Sequence, residues 1–209
     1  IFTGVYAATA ILAALVQRGR TGEGQQIDMA LLDVATSVMA NQAMNYLASG
    51  KAPGLMGNAH PNLAPYAVFD CKDGWLILAT GNDGQYQRLC KILGLDDMAL
   101  APAYLTNADR IANREEMTRR ITGATKTWAK TDLLAACEAE GVPAGPINSL
   151  DEVFTDPQVI ARGMQIAPGG LPGVRSPMTF SGAELALDRP APRLGQHQDE
   201  ILGPSRRWR

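Results

Sequence analysis

The residues with the clearest chemical potential lie in one segment, 57–66, where a histidine and two asparagines stand among prolines and glycine. His60, Asn58 and Asn62 offer an imidazole and two amides, which donate and accept hydrogen bonds. Polar side chains on a loop beside a rigid scaffold are typical of binding sites, and such a loop can close over a substrate. The same composition is typical of a stiff interdomain connection whose polar groups meet water. Composition alone leaves both interpretations open.

Other segments that carry potentially reactive or ligand-binding residues are better explained by structural roles. Thr21–Gln25 carries two glycines, but it follows a helix and precedes a strand, the reverse of a phosphate-binding loop. Cys71 lies beside Lys72, yet no histidine is an obvious partner in sequence, so a small buried hydrophobe is favoured over a nucleophile. The histidines and cysteines lack the spacing of metal ligands, and no carboxylate pair indicates a general acid and base. We therefore expect no metal site.

Composition excludes several classes of function. The 209 residues carry a formal net charge of -2 with 46% hydrophobic residues, which suits a compact protein of the cytoplasm. The densest basic cluster, Arg206–Arg209, is interpreted as a solvated tail rather than a nucleic-acid site. No apolar run reaches the roughly 18 residues of a membrane span. Three cysteines, an odd number, favour free thiols in a reducing compartment.

The first fifty residues read as one layer of an α/β fold. Apolar spacing predicts a helix from Gly4 to Arg18 that ends at Gly19, a strand over Gln25–Leu31 and a second helix from about Leu32 to Ser49. Helix, turn, strand and helix in this order are typical of a layer with a parallel sheet. The chain opens in the middle of an apolar pattern without a methionine, so we interpret Ile1 as an internal residue of a longer protein.

Glycine and proline divide the rest of the chain. Linkers at 51–65 and 168–177 predict three parts: 1–50, 51–167 and 168–209. The middle part begins with a predicted hairpin, Tyr66–Cys71 and Trp75–Thr80, joined by an Asp-Gly turn. The remaining predicted elements are helices near 84–93, 110–122 and 131–140, an extended segment at 142–147, a helix capped by Ser149 with Glu152, a short helix from Asp156-Pro157 to Arg162, and a strand at Met178–Ser181.

A set of short motifs follows one order along the chain. The blocks are Thr3–Ala8, Ile11–Leu15, Arg20–Gln25, Asp28–Asp33, Gly57–Tyr66, Asp73–Trp75, Gly81–Asp83, Gly141–Pro146, Asp156–Pro157, Ala191–Pro192, Leu194–His197 and Glu200–Leu202. Each block is common alone, whereas the set in this order is specific and covers nearly the whole chain. The ordered set resembles the class III coenzyme A transferases, the CaiB/BaiF type that includes formyl-CoA and carnitine-CoA transferases.

This resemblance implies a fold and a reaction. The chain is expected to be the C-terminal portion, with part of a Rossmann-like parallel-sheet large domain, a smaller α/β domain and a tail that returns to the large domain, in an interlocked homodimer. The family's nucleophile is an aspartate directly before the segment aligned with Ile1, so no catalytic residue is expected in this chain. Asp28 and Asp33 match other positions and do not replace it. Coenzyme A thioester is the substrate, and no permanently bound cofactor is expected.

The resemblance also implies where substrate binds. In formyl-CoA transferase a glycine-rich loop after a Gly-Asn-Ala segment closes over the intermediates, and His60 to Leu63 stand in its place. The bulkier His-Pro-Asn version implies a stiffer loop and different acyl groups. Leu31 matches a position that touches coenzyme A, although an ordinary core leucine is an equal alternative. The expected binding residues are Leu31, Asn58, His60, Pro61, Asn62 and Leu63.

Two alternatives differ in function. An α-methylacyl-CoA racemase shares the fold, but such relatives tend to carry a glutamate where this chain reads Gly81–Asp83, and they tend to lack the His-Pro-Asn loop. A truncated homologue without a nucleophile acting as an interaction module is the other alternative. The residues expected to precede Ile1 decide between an enzyme and this module, and the 209-residue chain alone is expected to be inactive.

Overall fold

The computed structural model describes residues 1–203 as a mixed α/β chain. Its helices are α1 Phe2–Thr21, α2 Leu31–Ser37, α3 Ala40–Ser49, α4 Asp83–Ile92, α5 Asp96–Ala99, α6 Asn107–Ala112, α7 Arg114–Thr125, α8 Lys130–Ala139, α9 Leu150–Thr155, α10 Pro157–Ala161 and α11 Gln198–Leu202. Its strands are β1 Tyr66–Cys71, β2 Gly74–Ala79, β3 Ala144–Ile147, β4 Gln165–Ile166 and β5 Gly173–Val174.

The N-terminal region, 1–50, is helical and largely uncovered. Helix α1 runs past the predicted end at Gly19 and stops at Gly22, which has φ 81° and donates its N–H to the Arg18 carbonyl. Only Val34 is buried in this region. The apolar side chains of α1 are mostly exposed, with Leu12 at 62%. The predicted amphipathic helix forms, but its apolar side has little to pack against.

The predicted strand Gln25–Leu31 is wrong for this structure, because residues 22–30 are not in a strand. A strand requires a neighbour for its backbone hydrogen bonds, and no strand among residues 1–203 pairs with this segment. The predicted helix 32–49 is two helices, because Ala40 takes a positive φ of 45° at the junction. The sheets among residues 1–203 are antiparallel, and the predicted parallel sheet is absent from them.

The main sheet has the order β1-β2-β3 with antiparallel pairing throughout. The predicted hairpin is confirmed: Tyr66 pairs with Ala79 and Cys71 with Gly74. Gly74 closes the turn with φ 150°, a conformation that favours glycine. The predicted extended segment at 142–147 supplies β3, which pairs with β2.

The core lies between this sheet and the helices that follow it. Helix α7 packs against β1, and α8 packs against β2 and β3. These side chains are at most 8% exposed: Phe69, Leu76, Leu78, Tyr86, Leu89, Cys90, Leu93, Met98, Tyr104, Met117, Ile121, Leu133, Cys137 and Val142. The residues of the core thus lie within 64–142. The predicted domain boundaries stay predictions.

The helices of this core largely match the predicted ones. The predicted helix 110–122 is divided at Asn113, whose φ and ψ of -110° and 28° are not helical. Thr106 and Asp109 form a capping box that begins α6. Outside the core, the predicted cap at Ser149 is confirmed, since Ser149 and Glu152 form a reciprocal capping box.

The chain after α10 (Pro157–Ala161) has little regular structure. Strands β4 and β5 form a two-residue pair. The predicted strand Met178–Ser181 is wrong, because no strand of the described part of the chain, 1–203, pairs with it. Arg175 instead donates a hydrogen bond to the hydroxyl of Thr179 at 3.2 Å. The predicted basic tail, 206–209, lies outside the described residues. None of the helices in 1–203 has the length and apolarity that a membrane crossing requires.

Candidate functional site

The segment 57–66 is folded back against the start of β1. The His60 N–H donates to the Tyr66 carbonyl at 2.8 Å, so the segment closes on itself. The side-chain oxygen of Asn58 accepts the N–H of Val68 at 2.9 Å. This hydrogen bond attaches the start of the loop to strand β1. The peptide bond between Ala64 and Pro65 is cis.

The imidazole of His60 is held inside its own loop. Its Nδ1 accepts the backbone N–H groups of Asn62 and Leu63, both at 3.1 Å. Its ring stacks on Tyr66 with centroids 5.1 Å apart and an interplanar angle of 20°. Because Nδ1 is occupied as an acceptor, the neutral ring carries its proton on Nε2. The predicted site histidine is therefore ordered, with a defined donor atom.

Asparagine amides connect the loop to two helices. Asn62 and Asn45 of α3 exchange a reciprocal pair of amide hydrogen bonds at 2.9 and 3.1 Å. Asn107, the first residue of α6, donates to the Asn62 carbonyl at 2.8 Å and accepts the Ala64 N–H at 3.1 Å. One loop is thereby tied both to the N-terminal region and to the core.

Two arginines hold the carbonyl groups of the loop. Arg114 donates to the carbonyls of His60 and Pro61 at 2.8 and 3.0 Å. Arg110, 1% exposed, donates to the Ala64 carbonyl at 2.6 Å and pairs with Asp83 at 2.7 Å. Its guanidinium also lies 4.6 Å over the ring of Tyr86. A buried charge with these partners fixes the end of the loop.

Three residues that hold the loop are not among those predicted from the sequence: Asn107, Arg110 and Arg114. The only signal is a pair of arginines at helical spacing in a polar segment, and such residues more often face water. Their acceptors in the loop lie 45 to 54 residues earlier in the chain, so spacing does not reveal the contacts.

A cavity of about 240 Å³ lies beside the loop. Asn58 lines it from the loop, Tyr66 from β1, and Arg114 and Thr118 from α7. An amide, two hydroxyls and a guanidinium therefore surround a space of small-molecule size. Of the predicted residues Asn58 lines this cavity, whereas His60 to Leu63 are not part of the lining.

Leu31 is separate from this site. It is the first residue of α2 rather than the end of a strand, and its side chain is 75% exposed. It is not among the residues that line the cavity. Its predicted contact with coenzyme A stays a prediction.

A larger depression of about 620 Å³ lies at the turn between β1 and β2. Three of its charged groups have partners: Asp70 pairs with Lys126 at 3.3 Å, and Asp73 accepts the backbone N–H of Lys130 at 2.7 Å. It therefore offers fewer unused polar groups than the cavity beside the loop.

The cysteines are free thiols with suppressed reactivity. Burial raises the pKa of Cys137 to about 11. Burial, with Asp73 and Asp70 nearby, also raises the pKa of Cys71, so its thiolate is scarce at neutral pH. Within residues 1–203 no group of three or more histidine, cysteine, aspartate or glutamate residues is placed to hold a metal ion.

The chain is similar in sequence to known coenzyme A transferases. A succinate–glutarate CoA-transferase of Agrobacterium fabrum is 54% identical over 207 residues, covering 97% of this chain and 52% of its own length. The succinyl-CoA:glutarate CoA-transferase of Homo sapiens is 36% identical over 205 residues, covering 96% and 47%. The chain spans about half the length of these curated relatives.

A solved structure agrees with the sequence relatives. A CaiB/BaiF family protein from Brucella suis superposes with a TM-score of 0.80 at 52% identity, covering 97% of this chain and 53% of that one. The family described as CoA-transferase family III matches residues 1–198. The predicted resemblance is confirmed, and the chain belongs to CoA-transferase family III.

Proposed function

We propose that the full-length protein moves coenzyme A from an acyl-CoA thioester to a free carboxylic acid. The family match over residues 1–198 supports CoA transfer as the reaction class. The observation that carries the proposal is the 54% identity over 207 residues with a succinate–glutarate CoA-transferase. The names of both curated relatives above indicate short dicarboxylates, so succinyl-CoA and glutarate are the proposed donor and acceptor.

The proposed nucleophile is an aspartate directly before Ile1. Its carboxylate, ionised at neutral pH, attacks the thioester carbonyl and forms a mixed anhydride while coenzyme A leaves as a thiolate. Further covalent intermediates on the aspartate then pass coenzyme A to the acceptor acid. Backbone amides stabilise the tetrahedral oxyanions, and binding of the distant nucleotide positions the thioester. No permanently bound cofactor takes part.

In this account the segment 57–66 is a wall of the active site, with Asn58 and His60 to Leu63 next to the acyl group and Leu31 next to coenzyme A. The support is the anchoring of the loop by Asn107, Arg110 and Arg114. A loop held through its carbonyls selects acyl groups by shape more strictly than a free glycine loop, because it does not adapt its backbone.

The proposed architecture explains the uncovered α1. Residues 1–50 and 168–209 would complete a Rossmann-like large domain, and 51–167 would form the small domain, within an interlocked homodimer. The exposed side chains of α1, such as Leu12 at 62%, support this proposal, because an apolar face of this extent favours a covering layer. The free thiols favour a cytoplasmic location.

The test incubates the full-length protein with succinyl-CoA and glutarate and measures glutaryl-CoA by liquid chromatography and mass spectrometry. Glutaryl-CoA should form with an equal amount of succinate and little free coenzyme A, and the 209-residue chain alone should be inactive. Solvent deuterium entering the α-carbon of a 2-methylacyl-CoA, without any transfer to acids, would replace the proposal with a racemase.

A further inference from the structure

Arg114 is a half-buried cation without an acidic partner among residues 1–203. Its Nη1 and Nη2 donate to two neutral carbonyls, those of His60 and Pro61. The other arginine at the loop, Arg110, is different because it pairs with Asp83. A partly desolvated charge that lacks a counter-ion favours an anion nearby.

The same guanidinium has hydrogen-bond donors to spare. It carries more N–H groups than its two carbonyl bonds use, and the Nε–H is among those left over. The two carbonyl bonds fix the plane of the group, so little side-chain entropy is lost when a ligand binds. A planar fork of N–H groups matches the two oxygens of a carboxylate.

Neutral donors complete the cavity beside Arg114. Asn58 uses its side-chain oxygen on Val68, which leaves its NH₂ group without a partner within 1–203. The hydroxyls of Thr118 and Tyr66 also make no hydrogen bond to any described residue, and both residues line the cavity. None of the described residues that line it is acidic.

We infer that this cavity binds the distal carboxylate of a dicarboxylic acid, with Arg114 as the charge partner and Thr118 and Asn58 as neutral donors. The inference rests on the proposed function and assigns a specificity role to Arg114 and Thr118, which lie outside the family's loop motif. The volume of about 240 Å³ is smaller than the roughly 300 Å³ at which drug-sized pockets begin, so a short acid fits and a nucleotide does not.

The experiment compares two acceptors in the full-length protein, glutarate and pentanoate, which share a five-carbon chain and differ in the distal carboxylate. The preference is the ratio of kcat/KM for glutarate to kcat/KM for pentanoate, with succinyl-CoA as donor. Arg114→Gln should reduce this preference by about 10- to 100-fold, chiefly through KM for glutarate, because a hydrogen-bonded charge partner is lost. Arg114→Lys should restore part of it.

Arg88→Gln is the matched control. Arg88 is also partly buried and donates to the carbonyls of Glu140 and Gly141, but it does not line the cavity. Its replacement should leave the preference unchanged. Thr118→Val keeps Arg114 and should weaken the preference by about 5-fold. Equal losses for both acceptors in Arg114→Gln would mean that Arg114 only supports the loop, and would overturn the inference.

Direct binding separates this inference from the proposed function. Titration calorimetry with glutarate should detect binding to the wild-type protein and much weaker binding to Arg114→Gln, whether or not coenzyme A is transferred. Transfer to glutarate with an unchanged preference in Arg114→Gln rejects the carboxylate site alone. Absence of transfer to every acid rejects the proposed function. The titration alone then decides whether the carboxylate site exists, through the difference in glutarate binding between the wild-type protein and Arg114→Gln.

Discussion

The chain contains two regions of similar apolar character and very different packing. In 64–142, the leucines of the core reach zero exposure, as at Leu76 and Leu89. In 1–50, Leu12 and Leu31 are 62% and 75% exposed, and Val34 alone is buried. Both regions carry helices with an apolar side. The difference is that only the first has a sheet and facing helices within the described residues.

Hydrophobic patterning determines which side of a helix or strand is to be buried, but it does not specify the element that covers that side. Residues 64–142 supply both layers of their own core, so the loop 57–66 has a rigid support. Residues 1–50 supply one layer, and the layer that covers it is a proposal about the full-length protein. Asn45 and Asn62 form a polar link between the two regions.

The strongest test of the packed region is Arg110→Ala. This change removes a buried charge and leaves the carbonyls of Ala64 and Tyr104 without their donor. The free energy of unfolding should fall by about 4 kcal/mol, measured by urea denaturation. Arg119→Ala removes an exposed ion pair with Glu116 and should leave the midpoint unchanged. Similar losses in both variants would contradict the assigned role of Arg110.

A matched pair of leucine substitutions tests the comparison itself. Leu89→Ala in α4 should lower the free energy of unfolding of the 209-residue chain by about 3 kcal/mol, because a cavity forms in a closed core. Leu12→Ala in α1 should cause almost no loss in the same chain, since its side chain is already solvated. In the full-length protein the two costs should converge. Equal costs in the 209-residue chain would show that α1 is covered.

A smaller effect is expected at the loop. Asn107→Ala removes two hydrogen bonds to the loop and should cost about 1.5 kcal/mol. Asn45→Ala removes the exposed amide pair with Asn62 and should cost less. Denaturation gives both energies, and limited proteolysis within 57–63 should accelerate more for Asn107→Ala. The reverse order would mean that the loop is anchored mainly to the N-terminal region.

The smallest effect is on thiol chemistry. Because burial raises the pKa of Cys137 from 9.0 to about 11, its thiolate is scarce at pH 8, and iodoacetamide should modify it only after unfolding. The stability from this raised pKa is present below 9.0 and is lost as the pH rises toward about 11. Mass spectrometry of alkylated peptides measures the modification, and urea denaturation between pH 8 and 11 measures the loss of stability. Rapid modification at pH 8 would contradict a closed core.

Local signals in the sequence are sufficient for one turn of the packed region and for one helix start outside it. The Asp-Gly turn and the Ser149–Glu152 capping box depend on residues within a few positions of each other, and both were predicted. The strand predicted at Gln25–Leu31 is absent from the structure, because a strand needs a partner that local pattern does not specify.

The candidate site was predictable only in part. The motif at 57–66 located the loop and Asn58, but the groups that fix it come from α6 and α7 (Asn107–Ala112 and Arg114–Thr125). Arg114 reaches His60 across 54 residues of sequence, and Arg110 reaches Ala64 across 46. Such contacts depend on the packing of α7 on β1, a tertiary fact that spacing along the chain does not contain.

The central claim is covalent CoA transfer through an aspartate that precedes Ile1, and hydroxylamine trapping tests it most directly. The full-length protein is incubated with succinyl-CoA, treated with hydroxylamine, digested and analysed by mass spectrometry. The account predicts a hydroxamate on the aspartate directly before Ile1, formed only when acyl-CoA is present. No adduct on any carboxylate with succinyl-CoA or other acyl-CoAs would contradict it.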